Sequence, residues 1–454
     1  MSARSPDPVA PHAAQPNHDR IPWRSWLMLA VAAAGSLMFY LDRQTVAILK
    51  TTISSALGLD DIGFATIISA YMIPYTFCYL FSGRLIDRWG TRRGAMVFLA
   101  SMAAATLGCG LAQNLAQMAG ARGLLGIAES GISPATILLM TLWFPARRRA
   151  FALMSYHALS ALAPVLAPPL IVALAAHGNW RWCFFIPAGL SLLTALAWWL
   201  ADRNPPYAAC AVSPNSPAPP AAPAPSTIAP AAPAAAAART SYLAALKTIF
   251  GNRRLRGLIL ARVCTDPFYF FLMNWHVGFL EEHSGWSRDM VGRLAWIPWL
   301  FIPVVNMALA WWSDRRAAAT GDPAAARGLV LRGLACLAPA AALAVFLPSA
   351  AAAPWAVWAV LALVGLGLLM TQGWVQLSGV MVSELAPAGT VATSIGILSV
   401  LSGVASIIFN QTAGHLVAHF GYTSLFIGGA LLHPLGAFIL WKTRKTQNAA
   451  PSLP

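Results

Sequence analysis

Apolar positions run in long blocks, broken by short polar segments rich in Arg, Gly and Pro. A helix that crosses about 30 Å of hydrocarbon needs roughly 20 apolar residues. Measured that way, the chain predicts spans near Trp26 to Leu49, Gly63 to Ser82, Gly94 to Leu111, Ala116 to Phe144, Phe151 to Ala176 and Trp182 to Ala201. A second set follows near Gly257 to Leu280, Val291 to Trp312, Leu329 to Leu347, Pro354 to Val382, Val391 to His419 and Tyr422 to Trp441. Between the sets lies the Pro and Ala-rich stretch Asn204 to Arg239, whose residues favour extended conformations and suit a semi-rigid linker. The expected fold class is therefore an all-α integral membrane protein of twelve transmembrane helices in two six-helix bundles. Its expected divisions are a tail at 1–25, a first bundle at 26–201, a linker at 202–256, a second bundle at 257–441 and a tail at 442–454.

Composition agrees with the blocks: 58% of the 454 residues are hydrophobic and only 10% charged, which excludes a soluble globular protein and a disordered one. The net charge of +15 belongs to Arg and Lys between apolar runs, and this pattern reports membrane orientation rather than nucleic-acid binding. Even-numbered connections hold Arg84, Arg88, Arg92, Arg93, Arg147 to Arg149, Arg253, Arg254, Arg256, Arg315, Arg316 and Arg327, whereas the other face has little beyond Lys50, Arg181, Arg288 and Arg293. Both termini are expected on the cytoplasmic side of a bacterial-type inner membrane. The apolar run after the polar first twenty residues is too long for a signal peptide and has no small-residue cleavage site, so the N-terminus is expected to remain. Six scattered cysteines without CxxC spacing point to no disulfide framework, and neither metal nor cofactor is expected.

The two halves echo each other. The second connection reads Gly83-Arg84-Leu85-Ile86-Asp87-Arg88-Trp89-Gly90-Thr91-Arg92-Arg93, and the eighth reads Trp312-Ser313-Asp314-Arg315-Arg316. In both, an Asp at a helix end is followed by Arg. Such an Asp can bond free N–H groups of a neighbouring helix, and the Arg can close onto a helix end across the bundle interface, forming a latch confined to one conformation. The first stretch resembles the loop motif of the major facilitator superfamily, and the second stands where that motif has its echo. The resemblance implies a gating role for Gly83, Asp87, Arg88, Gly90, Arg92, Asp314 and Arg315.

Ionisable residues inside spans are costly and are functional candidates by default. The first span contains Tyr40-Leu41-Asp42-Arg43-Gln44, and the fourth places Arg122 and Glu129 two turns apart on one face. In the seventh, Arg262 and Asp266 stand at i and i+4, directly before Pro267. Asp42 with Arg43 and Arg122 with Glu129 read either as ion pairs locking helices one and four, or as proton sites beside an anion site. The second reading has the stronger physical basis. Buried pairs are poor stability devices, and a carboxylate that alternates between an Arg contact and isolation binds and releases a proton. Arg262 and Asp266 read equally as a substrate-linked pair or as a local clamp on a helix broken at Pro267. Tyr71, Tyr75, His157, Ser160, Asn274, Trp275, Gln372 and Gln376 add hydroxyl, imidazole, amide and indole groups suited to a polyhydroxylated ligand.

YLDRQ, AYMIPYT, ARGLLGIAESGISPA and TDPFYFFLMNW look like the anion:cation symporter branch of that superfamily, and within it the hexuronate transporters. What this implies is proton-coupled uptake of a sugar acid, with protonation at Asp42 and Glu129, substrate linkage at Arg43, and Arg122 as a charge partner. Some sugar-acid members carry Gln in helix five where Ser160 stands here. The expected partners are a small organic anion, protons and the lipid bilayer, with a monomer as the expected state. The alternatives are a drug or metabolite exporter of the same fold, disfavoured because bases match acids in the cavity, and uptake of another carboxylate such as an aldonate, aldarate or aromatic acid. No nucleophile with its base and no HExxH is visible, so an enzyme is not expected. Asn410-Gln411-Thr412 matches a glycosylation acceptor but falls inside a span.

Overall fold

The computed structural model describes residues 21–145, 148–176, 179–207, 242–386 and 391–445. The tail through residue 20, Arg147, residues 208–241 of the linker with Cys210, and the tail beyond 445 lie outside the described residues. Ten helices are long and apolar enough to cross a membrane. Two physical corrections bring the crossings to twelve. The helix Asp61–Leu111 has 51 residues, about 76 Å at 1.5 Å per residue and hence twice a bilayer core. Gly90, at φ 76 and ψ 164, breaks it into the second and third spans. That positive φ with extended ψ is a conformation open to glycine and strained for any residue with a Cβ. Arg253–Gly278 is the seventh span; Arg262, Asp266, Pro267 and Asn274 dilute its apolar run.

The first span is Trp23–Ile48. The fourth consists of Leu115–Glu129 and Ile132–Trp143, the fifth of Arg149–Ser160 and Ala163–Ala176, and the sixth is Trp182–Ala201. In the second half the eighth consists of Arg288–Leu294 and Ile297–Thr320, and the ninth is Pro323–Ala341 with a 3₁₀ extension Ala342–Phe346. The tenth, eleventh and twelfth are Pro354–Leu385, Val391–Phe420 and Thr423–Lys445. The interruptions share one cause. Proline clashes with the carbonyl four residues before it, and Pro134, Pro164 and Pro298 place that carbonyl at Ser130, Ser160 and Leu294, where the three helices stop. Pro267 does not act this way: the seventh span runs through it, so the reading of Arg262 and Asp266 as a clamp on a helix broken there does not hold.

Leu192, Leu193, Phe301, Trp311, Trp358 and Leu431 are exposed on the outer surface, as residues facing lipid tails must be. Inside, one apolar cluster joins the halves, from Met28, Phe64 and Phe98 to Phe271, Phe279 and Phe426. A second, around Leu258, Leu334, Met370 and Trp374, belongs to the second half alone.

Packing of the first half continues past residue 201. Asp202 is buried and accepts hydrogen bonds from Thr91 Oγ1 at 2.5 Å and Trp143 Nε1 at 2.8 Å. These bonds tie the starts and ends of three spans together at the linker side. Arg92 adds to them, donating from Nε to the Trp199 carbonyl at 2.8 Å and lying 4.9 Å from the Trp199 ring centroid.

Candidate functional site

Helices two and four approach so closely at Gly126 that a Cβ there would strike the Tyr71 carbonyl and crowd the Tyr75 amide. This contact sets Arg122, one turn earlier, and Glu129, one turn later, against Tyr71. The Tyr71 hydroxyl donates to Glu129 Oε2, and its ring lies 4.7 Å from the Arg122 guanidinium carbon. Tyr71 and Tyr75, one turn apart, stack with centroids 5.6 Å apart and planes at 18°.

Arg43 enters this corner from the first span. Its Nε donates to Glu129 Oε2 at 3.3 Å, and its guanidinium carbon stands 4.0 Å from the Phe39 ring, 4.6 Å from Tyr75 and 5.1 Å from Tyr71. Cation–π contacts of this kind contribute roughly 2 kcal/mol when desolvated. The cage therefore holds the guanidinium while leaving part of its fork free, and Nη2 is buried with no hydrogen-bond partner.

Asp42 points the other way. Its Oδ2 accepts from Thr106 Oγ1 at 2.7 Å, and its backbone carbonyl accepts from Arg122 Nη1 at 3.3 Å. The pairing is not that of the ion-pair reading, Asp42 with Arg43 and Arg122 with Glu129: Arg43 bridges to Glu129, while Arg122 and Asp42 meet through a backbone oxygen. Neighbours on a helix point about 100° apart, so Asp42 and Arg43 cannot face one partner. Asp42 Oδ1, Gln44 Nε2, Arg122 Nε and Glu129 Oε1 are also buried without a hydrogen-bond partner. Five such atoms, four of them on ionisable side chains, gather in this one corner, where a polar ligand, a proton or water would satisfy them.

A cavity opens beside them, lined by Arg43, Gln44, Tyr71, Met72 and Arg122 from the first half and by Tyr269, Phe270, Met273 and Asn274 from the second. Asn274 donates to its own Phe270 carbonyl at 2.7 Å, and Gln372 Nε2 donates to Tyr269 Oη at 3.3 Å. Gln44 and Tyr269 did not stand out in the sequence, although Gln44 follows Arg43 directly and Tyr269 lies one turn after Asp266.

Several other sequence candidates are not among the residues lining this cavity. Arg262 and Asp266 form the predicted i, i+4 pair through two bonds of 2.6 and 2.7 Å, with Arg262 also donating to Ser378 Oγ at 3.1 Å and the Val375 carbonyl at 3.2 Å. Trp275, expected at the ligand, is fully buried, and its Nε1 donates to Asn410 Oδ1 at 2.9 Å. It is a core residue because the helix turns it away from the face of Asn274. Asn410 in turn donates to the Ala65 carbonyl and Ser69 Oγ, across the two halves. Gln376, one turn beyond Gln372, sits instead by Asn306, Val330 and Leu334 of the eighth and ninth spans. Ser160 Oγ donates to the Tyr156 carbonyl of its own helix, His157 packs edge-on against Tyr156, and Tyr40 packs edge-on against Phe39.

At the end of the molecule opposite the linker a polar network joins the halves. Lys50, nearly fully buried, reaches Asp61 at 2.6 Å, Glu282 at 2.8 Å and Tyr422 Oη at 2.8 Å, while Thr51 donates to Glu281 at 2.5 Å and accepts from Arg288 at 2.9 Å. At the linker end Asp87 and Arg88 are exposed and make no ion pair among the described residues. Asp314, expected to work with Arg315, pairs instead with Arg327 at 2.8 Å, which also holds Glu384 at 2.8 Å, all within the second half. Arg315 lies against Trp311, 5.3 Å from its ring centroid. Among the described residues, the Lys50–Glu282 ion pair therefore joins the halves at the far end and none joins them at the linker end.

Glu282→Gln should weaken that clasp while leaving Lys50 its contact with Asp61. A charge-assisted bond contributes about 1.5–3 kcal/mol, enough to change a two-state population ten- to a hundredfold. Spin labels at Ser55 and Ser349 should report a longer-distance population that is minor in the parent; unchanged distance distributions would assign the network to stability alone.

The profile of the Major Facilitator Superfamily matches residues 32–409. The chain is 24% identical over 431 residues to the hexuronate transporter of Escherichia coli strain K12, covering 93% of this chain and 95% of the relative. It is 28% identical over 277 residues to the galacturonate transporter of Dickeya chrysanthemi, covering 61% and 77%. In overall structure it resembles a bacterial homologue of the human lysosomal transporter Spinster in an inward-facing, unoccupied conformation, with TM-score 0.65, 17% identity and coverage of 94% and 96%. It also resembles the nucleoside transporter NupG, with TM-score 0.70, 13% identity and coverage of 92% and 100%.

Proposed function

Because the chain belongs to the Major Facilitator Superfamily, and is thus a multi-pass membrane transporter and not an enzyme, we propose that it is a proton-coupled symporter that imports a hexuronate or related sugar acid by alternating access. The relatives named as hexuronate and galacturonate transporters favour a sugar acid as cargo. The observation that carries the coupling is the Arg43 bridge to Glu129, with Nη2 of the same guanidinium free of any partner.

A substrate carboxylate entering the cavity competes with Glu129 for Arg43. Two carboxylates and one guanidinium in a low-dielectric site leave one negative charge uncompensated, and the least costly remedy is to protonate the protein's own acid. Anion and proton then bind together. Asp42 takes or passes that proton in this reading, which its bond from Thr106 and its backbone tie to Arg122 support. Tyr71 links the acid to the aromatic wall through its bond to Glu129, and Asn274 with the Tyr269–Gln372 pair offers hydroxyl and amide groups to the sugar ring.

In the conformation seen, the clasp of Lys50 with Glu282 closes the far end. The Arg-rich linker end, taken as cytoplasmic from its basic connections, is where Asp87 and Arg88 stand unengaged. The return step re-forms the latch there and releases the clasp. Both termini are then cytoplasmic, and the membrane is the inner membrane of a bacterium.

Asp87→Asn tests the division of labour between latch and site. Transport should slow at least about tenfold, as expected for one lost charge-assisted bond. Affinity for the acid measured by calorimetry should change no more than a few fold, and loss of binding in a folded protein would contradict the assignment. The cargo itself is tested by uptake of labelled glucuronate, galacturonate, aldonates and aromatic acids into proteoliposomes. Saturable uptake of a hexuronate, with the aromatic acids inert, is the expected outcome.

A further inference from the structure

We infer that the second half carries a site for one anionic phospholipid, in the leaflet on the linker side, built around Arg332 and Arg254. Arg332 stands nine residues into the ninth span counted from Pro323, about 14 Å along the axis. An arginine at that depth is costly unless compensated. It is half-buried, donates from Nε only to its own Gly328 carbonyl at 3.2 Å, and makes no ion pair among the described residues. Arg254, in the first turn of the seventh span, has its Nε buried without a hydrogen-bond partner.

The two guanidinium groups line one cavity, whose other walls include Met381, Leu385, Leu440 and Trp441. Neither Arg332 nor Arg254 forms an ion pair among the described residues. Glu384, beside Leu385, and Asp314 are both held by Arg327. This cavity is separate from the one beside Arg43 and shares no residue with it.

The occupant that fits has a fixed negative charge able to accept from two guanidinium forks and an apolar body that covers Met381, Leu385 and Leu440. A sugar acid has the charge without the apolar body. A free phosphate lacks it too. A phospholipid at a membrane-facing helix end has both, because basic residues between transmembrane helices meet headgroup phosphates where their apolar neighbours meet the acyl chains. A net-anionic headgroup is favoured over a zwitterionic one because neither arginine forms an ion pair among the described residues.

Native mass spectrometry of the full-length protein in detergent, titrated with phosphatidylglycerol or phosphatidylcholine of matched chains, tests the site. The parent should hold one phosphatidylglycerol about thirtyfold more tightly than phosphatidylcholine, in line with about 1 kcal/mol for each of the two basic residues near the headgroup. Arg332→Gln and Arg254→Gln should each remove most of that preference, whereas Arg253→Gln, at an exposed residue of the same helix end, should leave it within twofold. Arg254 lies at the helix end, so its variant stays informative if Arg332→Gln fails to fold. Equal binding of the two lipids by the parent, or a preference unchanged in both site variants, overturns the proposal. Displacement of phosphatidylglycerol by millimolar inorganic phosphate also overturns it, since the occupant is then a free anion.

Discussion

Arg43→Lys should abolish uptake while leaving the protein folded. The lysine keeps a positive charge among Phe39, Tyr71 and Tyr75, so the aromatic cage and the compensation of Glu129 survive in part. What disappears is the planar fork that serves Glu129 through one nitrogen and a substrate carboxylate through another. Losing one charge-assisted hydrogen bond to the substrate costs about 1.5–3 kcal/mol, so transport efficiency should fall by about ten- to a hundredfold. The neutral lactone or amide of the substrate should fail to compete in the parent for the same reason. Normal transport by Arg43→Lys, with intact thermal stability, would move recognition away from this corner and toward Arg262.

The second large effect separates coupling from binding. Asp42→Asn and Glu129→Gln imitate the permanently protonated acids, removing the charge that must be neutralised before the empty carrier can reorient. Accumulation driven by a pH gradient should collapse in both. Exchange of labelled for unlabelled substrate requires no net proton release, so Asp42→Asn, whose Oδ1 has no partner and whose Oδ2 meets only Thr106, should retain it. Glu129→Gln should impair exchange as well, because Glu129 anchors both Arg43 and Tyr71. If both variants concentrate substrate with the parent's pH dependence, the two acids are structural and Asp266 becomes the leading proton site.

Signals local to one helix were legible in the sequence. Block length gave the spans, i, i+4 spacing gave Arg262 with Asp266, and one-turn spacing gave the Tyr71–Tyr75 stack. The breaks in the fourth, fifth and eighth spans were not legible, because each lies four residues before a proline but helices run unbroken through Pro74, Pro187, Pro267, Pro303 and Pro434.

Contacts between helices were not. Arg43 and Glu129 are 86 residues apart and Lys50 and Glu282 are 232 apart, so their meeting depends on how each helix is rotated about its axis. In a membrane helix that rotation leaves little trace in the pattern, because the lipid-facing and core-facing sides are both apolar. Trp275 shows the consequence. Its neighbour Asn274 lines the cavity, while the indole, turned by one helical step, fills the core against Asn410.

The central claim is that an acid bridged to Arg43 couples proton entry to anion entry. It is tested most directly by loading proteoliposomes with buffer one pH unit more alkaline than the bath, with no membrane potential, and following labelled hexuronate. One pH unit is worth about 1.4 kcal/mol per proton, a factor of about ten in concentration. The account predicts accumulation of about tenfold over the bath for one proton per monoanion, abolished by a protonophore and absent in Glu129→Gln. Equilibration to the bath concentration with or without the gradient, at a rate the protonophore leaves unchanged, would contradict it.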